Sequence, residues 1–135
     1  MPMMSNRNSG FTLVEVVMAI LILMVGMLGL LQAINLATEV NIRNQVREEA
    51  VFLGERVMNE LRGKGFDNIS AAYGAYNSPS KLRGVTRSYT VLRSSTVLST
   101  VSGSPATKQM TVTVTWNYKG VGYQNRVVAP ISILR

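Results

Sequence analysis

Hydrophobic and polar positions fall into three successive regimes along the chain. Residues 11–31, FTLVEVVMAILILMVGMLGLL, form an apolar run of 21 residues with one charge, Glu15. At ~1.5 Å rise per residue, a helix of that length matches the ~30 Å hydrocarbon core of a bilayer. The run therefore predicts a membrane span with an acid near its start. From Gln32 the pattern turns amphipathic, with Ala33, Leu36, Ala37, Val40, Val46, Ala50, Leu53, Val57 and Leu61 recurring mostly at steps of three or four. No proline interrupts residues 11–62, and Gly63 with Gly65 supplies a stop. Both runs thus belong to one predicted helix of about 52 residues, ~78 Å long.

Residues 63–86 are rich in Gly, Ser, Asn and Ala without a sustained period, and read as a connecting loop with a short helical turn near residues 67–72. Beyond it the period becomes two. Residues 87–94 predict a strand with Tyr89, Val91 and Arg93 on one side and Ser88, Thr90 and Leu92 on the other; residues 96–101 extend it or form another. The clearest strand is 108–117, where Met110, Val112, Val114 and Trp116 alternate with Thr111, Thr113 and Thr115. Those four larger side chains are the expected sheet–helix core. Ser102, Gly103, Ser104 and Pro105 read as a loop tip, and residues 119–122 as a turn. Tyr123, Asn125 and Val127 then alternate until Pro130, which is expected to break the strand, and residues 131–134 form a short edge strand.

The expected fold class is α+β: a long amino-terminal helix, half membrane-spanning and half amphipathic, packed on a small antiparallel β-sheet. The corresponding division is a polar leader (1–10), a transmembrane helix (11–31), its amphipathic continuation (32–62), a connecting loop (63–86) and a sheet (87–135).

Composition narrows the chemistry. The 135 residues leave room for one small globular domain beside the helix, and cysteine and histidine are both absent. No disulfide, thiolate or imidazole is available, no phosphate-cradling glycine loop follows a strand, and every carboxylate lies in the helix or at Asp67. Catalysis, a cofactor and a metal site are therefore not expected. The net charge is +7, and after Asp67 the chain carries Lys81, Arg83, Arg87, Arg93, Lys108, Lys119, Arg126 and Arg135 but no acid. Such a basic half keeps copies apart in solution or faces an acidic partner, a neighbouring subunit or DNA. No aromatic-rich nucleic-acid motif accompanies it, which leaves DNA as the secondary reading. Arg43 and Arg47 with Glu48 and Glu49 read as a solvent face before an intersubunit patch. Tyr73 and Tyr76 read as pins holding the loop to its sheet before recognition residues.

The amino terminus holds the remaining chemistry. Residues 1–10, MPMMSNRNSG, are polar with one charged side chain, Arg7, and the apolar run follows the small residue Gly10 instead of preceding it. A cut between Gly10 and Phe11 would remove the leader and leave the hydrophobic helix on the mature chain, unlike a secretory signal. Arg7 places the leader on the cytoplasmic side of an inner membrane, with the carboxy-terminal domain in the periplasm. Thr12 and Glu15 have the T-x-x-E spacing of a capping box, and an acid in the first turn complements the helix dipole. The other reading of Glu15 is a counter-charge for an amino group freed at Phe11, since an intramembrane acid usually has a partner.

The run G-F-T-L-V-E-V-V-M-A-I behind a short polar leader resembles the class III signal of type IV pilins and of type II secretion pseudopilins. The resemblance implies that a prepilin peptidase cuts between Gly10 and Phe11 and N-methylates Phe11. It also implies that Glu15 registers an incoming subunit by pairing with a Phe11 amino group. The continuation LMVGMLGLLQ, residues 23–32, resembles minor pilins of the PilV class: major pilins usually carry a proline along this helix, and here Gly26 and Gly29 are the only helix-weakening residues in that run. These mark a flexible point or a close helix contact. The implied function is that of a minor pilin which primes or caps a filament. Its implied partners are the peptidase, other minor and major pilins, the inner-membrane assembly platform and, before assembly, membrane lipid. A minor pseudopilin and a DNA-binding pilus component are the alternatives. The family's common carboxy-terminal disulfide has no counterpart here.

Overall fold

A computed structural model describes residues 10–82 and 84–133. Its elements are one helix, α1 (Leu13–Gly63), and four strands, β1 (Tyr76–Leu82), β2 (Val85–Val101), β3 (Ser104–Tyr118) and β4 (Val121–Ser132). The chain divides into two compact units, residues 1–41 and 42–135. In the first, residues 13–41 of α1 are exposed throughout. The second contains the remainder of α1 and an antiparallel meander in the order β1-β2-β3-β4. The α+β arrangement is the expected one.

Local chemistry sets the limits of these elements. The Glu15 backbone N–H donates to Thr12 Oγ1 at 3.3 Å, which satisfies one of the amides orphaned at the helix start. Arg62 stands in the last turn of α1, where a cation complements the dipole. The two long hairpins turn on paired positive φ angles, Ser102 (51°) with Gly103 (78°) and Lys119 (50°) with Gly120 (79°). Two consecutive residues of that kind match the right-handed twist of the strands they join.

Within the second unit, Val46, Ala50, Leu53, Val57, Met58 and Leu61 of α1 are buried against Tyr89, Val91, Met110, Val112, Val114, Trp116 and Ala129 of the sheet. The helical contributors recur at steps of three and four, and the strand contributors at steps of two, as the two geometries require. Each large side chain buried this way contributes roughly 1.5–3 kcal/mol. The helix approaches the sheet closely at Gly54, where an added Cβ would lie 3.1 Å from Val127 Cγ2 and 3.5 Å from Val114 Cγ2. Two polar links cross the same interface. Tyr89, fully buried, donates its hydroxyl to the Val46 carbonyl at 3.2 Å, and Ser80 Oγ donates to Glu49 Oε1 at 2.7 Å.

Four details differ from the sequence-based expectations. Residues 76–82, placed in the 63–86 loop, form β1, and β2 begins at Val85. Ser104 and Pro105, placed in a loop tip, already belong to β3, so the turn is Ser102 and Gly103 alone. Pro130 does not break β4, which runs through it to Ser132; β4 is an edge strand, where a missing N–H need not interrupt a ladder. A separate strand at 131–134 is therefore not formed, and Leu134 lies outside the described residues. Near residues 67–72 the chain makes a turn closed by the Ile69 N–H on the Phe66 carbonyl at 3.4 Å, not a helix.

Candidate functional site: the amino-terminal segment

Gly10, Phe11 and Thr12 precede α1 without regular structure. Phe11 is 84% exposed, and nothing described lies within 4 Å of where a Gly10 Cβ would be. Among the described residues nothing covers the Gly10–Phe11 peptide bond, and packing against them does not require glycine at position 10. The other half of the leader junction, residues 1–9, lies outside the described residues.

Glu15 sits one turn into the helix. Its backbone is engaged with Thr12, while its carboxylate has no partner among the described residues. The capping role that the spacing suggested is therefore half formed: Thr12 caps, and no reciprocal bond from the Glu15 side chain completes the box. Around and beyond Glu15, α1 presents apolar side chains in every direction. Val14, Val17, Leu21, Ile22, Val25 and Leu28 are all at least half exposed. An 18-residue window here reaches a mean hydropathy of 2.7 with none of it buried, so α1 contains a stretch long and apolar enough to cross a membrane. Gly26 and Gly29 meet nothing within 4 Å, so neither is required by a close approach inside the chain.

The remaining sequence-derived residues are structural. Met110, Val112 and Val114 are fully buried and Trp116 is 8% exposed, with its ring stacked on Tyr123 at 5.8 Å. Tyr73 accepts the Ser70 N–H at 3.0 Å, and Arg93 lies 4.9 Å from the Tyr73 ring and 4.8 Å from that of Tyr76. Both tyrosines are therefore pinned to the sheet by one guanidinium. Lys108 secures the preceding turn by donating to the Phe66 and Ile69 carbonyls at 2.9 and 3.1 Å. Periodicity could not have revealed either cation, because each acts through neighbours far away in sequence. Arg43, Arg47 and Glu48 are exposed, Glu49 is partly covered by Ser80, and no group of three potential metal-ligating acids occurs among the described residues.

What the amino-terminal segment offers, among the described residues, is an uncovered Gly–Phe bond, an acid four residues later whose carboxylate has no partner there, and an apolar helix that none of them covers. Residues 5–31, 27 of the 135, match the family model described as the prokaryotic N-terminal methylation motif, the prepilin signature of type IV pilins. No curated protein and no solved structure matches the chain.

Proposed function

We propose that this chain, which carries the type IV prepilin signature, is a minor type IV pilin, a non-catalytic filament subunit that helps to prime or cap assembly. The prepilin peptidase acts on it as a substrate. Hydrolysis of the Gly10–Phe11 bond releases the leader and leaves Phe11 with a cationic amino group, which stays cationic after methylation. The mature chain then waits in the inner membrane with its carboxy-terminal domain in the periplasm.

The observation that supports this reading is that, among the described residues, the Glu15 carboxylate has no partner and lies in an uncovered apolar helix directly after a Gly10–Phe11 bond that nothing covers. Holding such an acid in hydrocarbon costs ~2.5–3.5 kcal/mol near the helix centre and less toward an end. Two opposite unit charges ~4 Å apart gain about 4 kcal/mol at an effective dielectric of 20. A Phe11 ammonium on a neighbouring subunit thus offsets the cost of Glu15, and does so in one register only. The apolar surface of residues 13–41 exchanges lipid contacts for contacts with the same region of neighbouring pilins at no net hydrophobic loss.

Intact-mass measurement of the protein recovered from native membranes and from sheared surface filaments tests the proposal. A chain beginning at N-methylated Phe11 and present in the sheared fraction is the expected result. The same processed chain confined to the envelope would instead identify a secretion pseudopilin or an assembly-only subunit. An uncut chain in both fractions would reduce the helix to an anchor and overturn the reading.

A further inference from the structure

The sheet forks. The ladder between β2 and β3 begins at the pair Thr90 and Thr115. On the near side of that pair, residues 85–89 of β2 are registered only against β1, and residues 116–118 of β3 only against β4. Two hairpins therefore diverge from Thr90 and Thr115, and their facing edges present backbone N–H and C=O groups that no ladder bond across the gap satisfies.

The two sides of this fork differ in chemistry. Toward the helix it is bridged by side chains, with the Tyr89 and Trp116 rings 6.2 Å apart and the Arg87 guanidinium 5.2 Å from the Tyr118 ring. On the opposite side it opens as a cavity of about 810 Å³. The cavity is lined by the amide and hydroxyl side chains of Asn77, Ser88, Thr90, Thr115, Asn117 and Gln124; Arg87, Trp116 and Tyr123, engaged with rings on the helix side, also border it. Strand register places Asn77, Thr90, Thr115 and Gln124 in one row across all four strands. Thr90 Oγ1 donates to Asn77 Oδ1 at 3.0 Å, and Thr115 Oγ1 points its bond at the Thr90 carbonyl at 3.4 Å. Each hydroxyl keeps acceptor capacity, and the carboxamides keep free donors.

We propose that this fork binds an oligosaccharide through its row of amides and hydroxyls. The size falls within the ~300–1,000 Å³ of small-ligand sites. Groups that both donate and accept, repeated at the ~4.8 Å strand spacing, suit a ligand whose own hydroxyls do both. No acid lines the cavity, which disfavours cations and basic peptides. An added peptide strand is the competing occupant of two unpaired edges. Such a strand would direct every second side chain toward the helix, where the Tyr89–Trp116 and Arg87–Tyr118 contacts already fill the space. Single-stranded nucleic acid would need cations facing its phosphates, and the one cation bordering the cavity, Arg87, is turned to the Tyr118 ring on the helix side.

The test is titration of the full chain, in a detergent without a sugar headgroup, against neutral trisaccharides ending in glucose or galactose and their counterparts ending in a uronic or sialic acid. Binding is read by isothermal calorimetry and saturation-transfer NMR. Wild type is expected to bind, with the acidic sugars no tighter than the neutral ones. Thr115→Val, which keeps the shape of the side chain, and the exposed Asn117→Ala should each weaken binding about tenfold, the loss of one hydrogen bond well made. Absence of saccharide binding at millimolar concentration overturns the proposal. So does equal binding by wild type and by whichever of Thr115→Val and Asn117→Ala retains the wild-type near-UV circular dichroism. Binding of an extended peptide in place of the sugars would reassign the fork to strand addition.

Discussion

Residues 13–41 and 42–63 of α1 share one backbone geometry, yet their side chains meet opposite conditions. The first part is exposed on every side and, from Leu13 to Leu31, apolar on every side apart from Glu15, while the second buries Val46, Ala50, Leu53, Val57, Met58 and Leu61 and leaves its charged residues other than Glu49 in solvent. A helix that is apolar all round must be covered by lipid or by other chains, whereas an amphipathic one finds its cover within its own domain. The difference separates two kinds of residue. In the first part a side chain affects what the protein joins; in the second it affects whether the domain folds.

The largest expected effect sharpens that separation at Glu15. Glu15→Ala should remove nearly all incorporation into filaments, measured by immunoblot of sheared filaments, while the chain is still cut and its thermal unfolding midpoint stays at the wild-type value. A shifted midpoint would break the comparison, because it would make Glu15 a folding residue. Gly10→Ala should act one step earlier. Its extra methyl meets nothing in this chain, so accumulation of the uncut precursor would report on the peptidase and not on folding.

On the other side of the comparison stands Trp116, buried between Tyr89 and Tyr123. Trp116→Ala should cost about 3–5 kcal/mol through lost burial and the cavity left behind. Against the ~5–15 kcal/mol that holds a typical domain together, that loss exposes the sheet to proteolysis. Gly54→Val should cost less, about 1–3 kcal/mol, since branched carbons at that position must push Val127 and Val114 away from the helix. Urea unfolding of the two variants measures both costs, and a Gly54→Val chain as stable as wild type would show that the helix can move off the sheet without penalty.

The two parts of α1 were also unequally legible. The apolar run, the amphipathic period and the alternation of Met110, Val112, Val114 and Trp116 each state their burial in sequence, because hydrophobicity is the signal and burial is its consequence. Strand β1, YNSPSKL, carries no such signal. Its inward positions are Tyr76, Ser78, Ser80 and Leu82, and Ser80 is satisfied by Glu49, 31 residues away, so polarity there reads as loop until the partner is seen. Pro130 misled in the same direction, since a proline signals a break unless its strand is known to lie at an edge. At the amino terminus the spacing of Gly10, Phe11, Thr12 and Glu15 was fully visible, but only the structure separates the Thr12 cap from the unpartnered Glu15 carboxylate.

The smallest effect concerns the link between α1 and β2. Burial, and after it the Glu49 carboxylate, push the Tyr89 phenol above its ordinary value of 10.0, with Arg87 pulling it back. In the unfolded chain the phenol loses its proton near pH ~10, while in the folded chain it keeps that proton to higher pH and keeps donating it to the Val46 carbonyl. Above that point the unfolded state binds fewer protons than the folded one, so stability falls as pH rises. The contribution of Tyr89 is therefore complete below pH ~10 and disappears as pH climbs through the raised folded value. Tyr89→Phe should be about 1 kcal/mol less stable than wild type at neutral pH, the worth of one hydrogen bond. Measured by urea unfolding at increasing pH, the gap between the two proteins should close above pH ~10. A gap that stays constant into that range would mean that the phenol ionises without disturbing the helix.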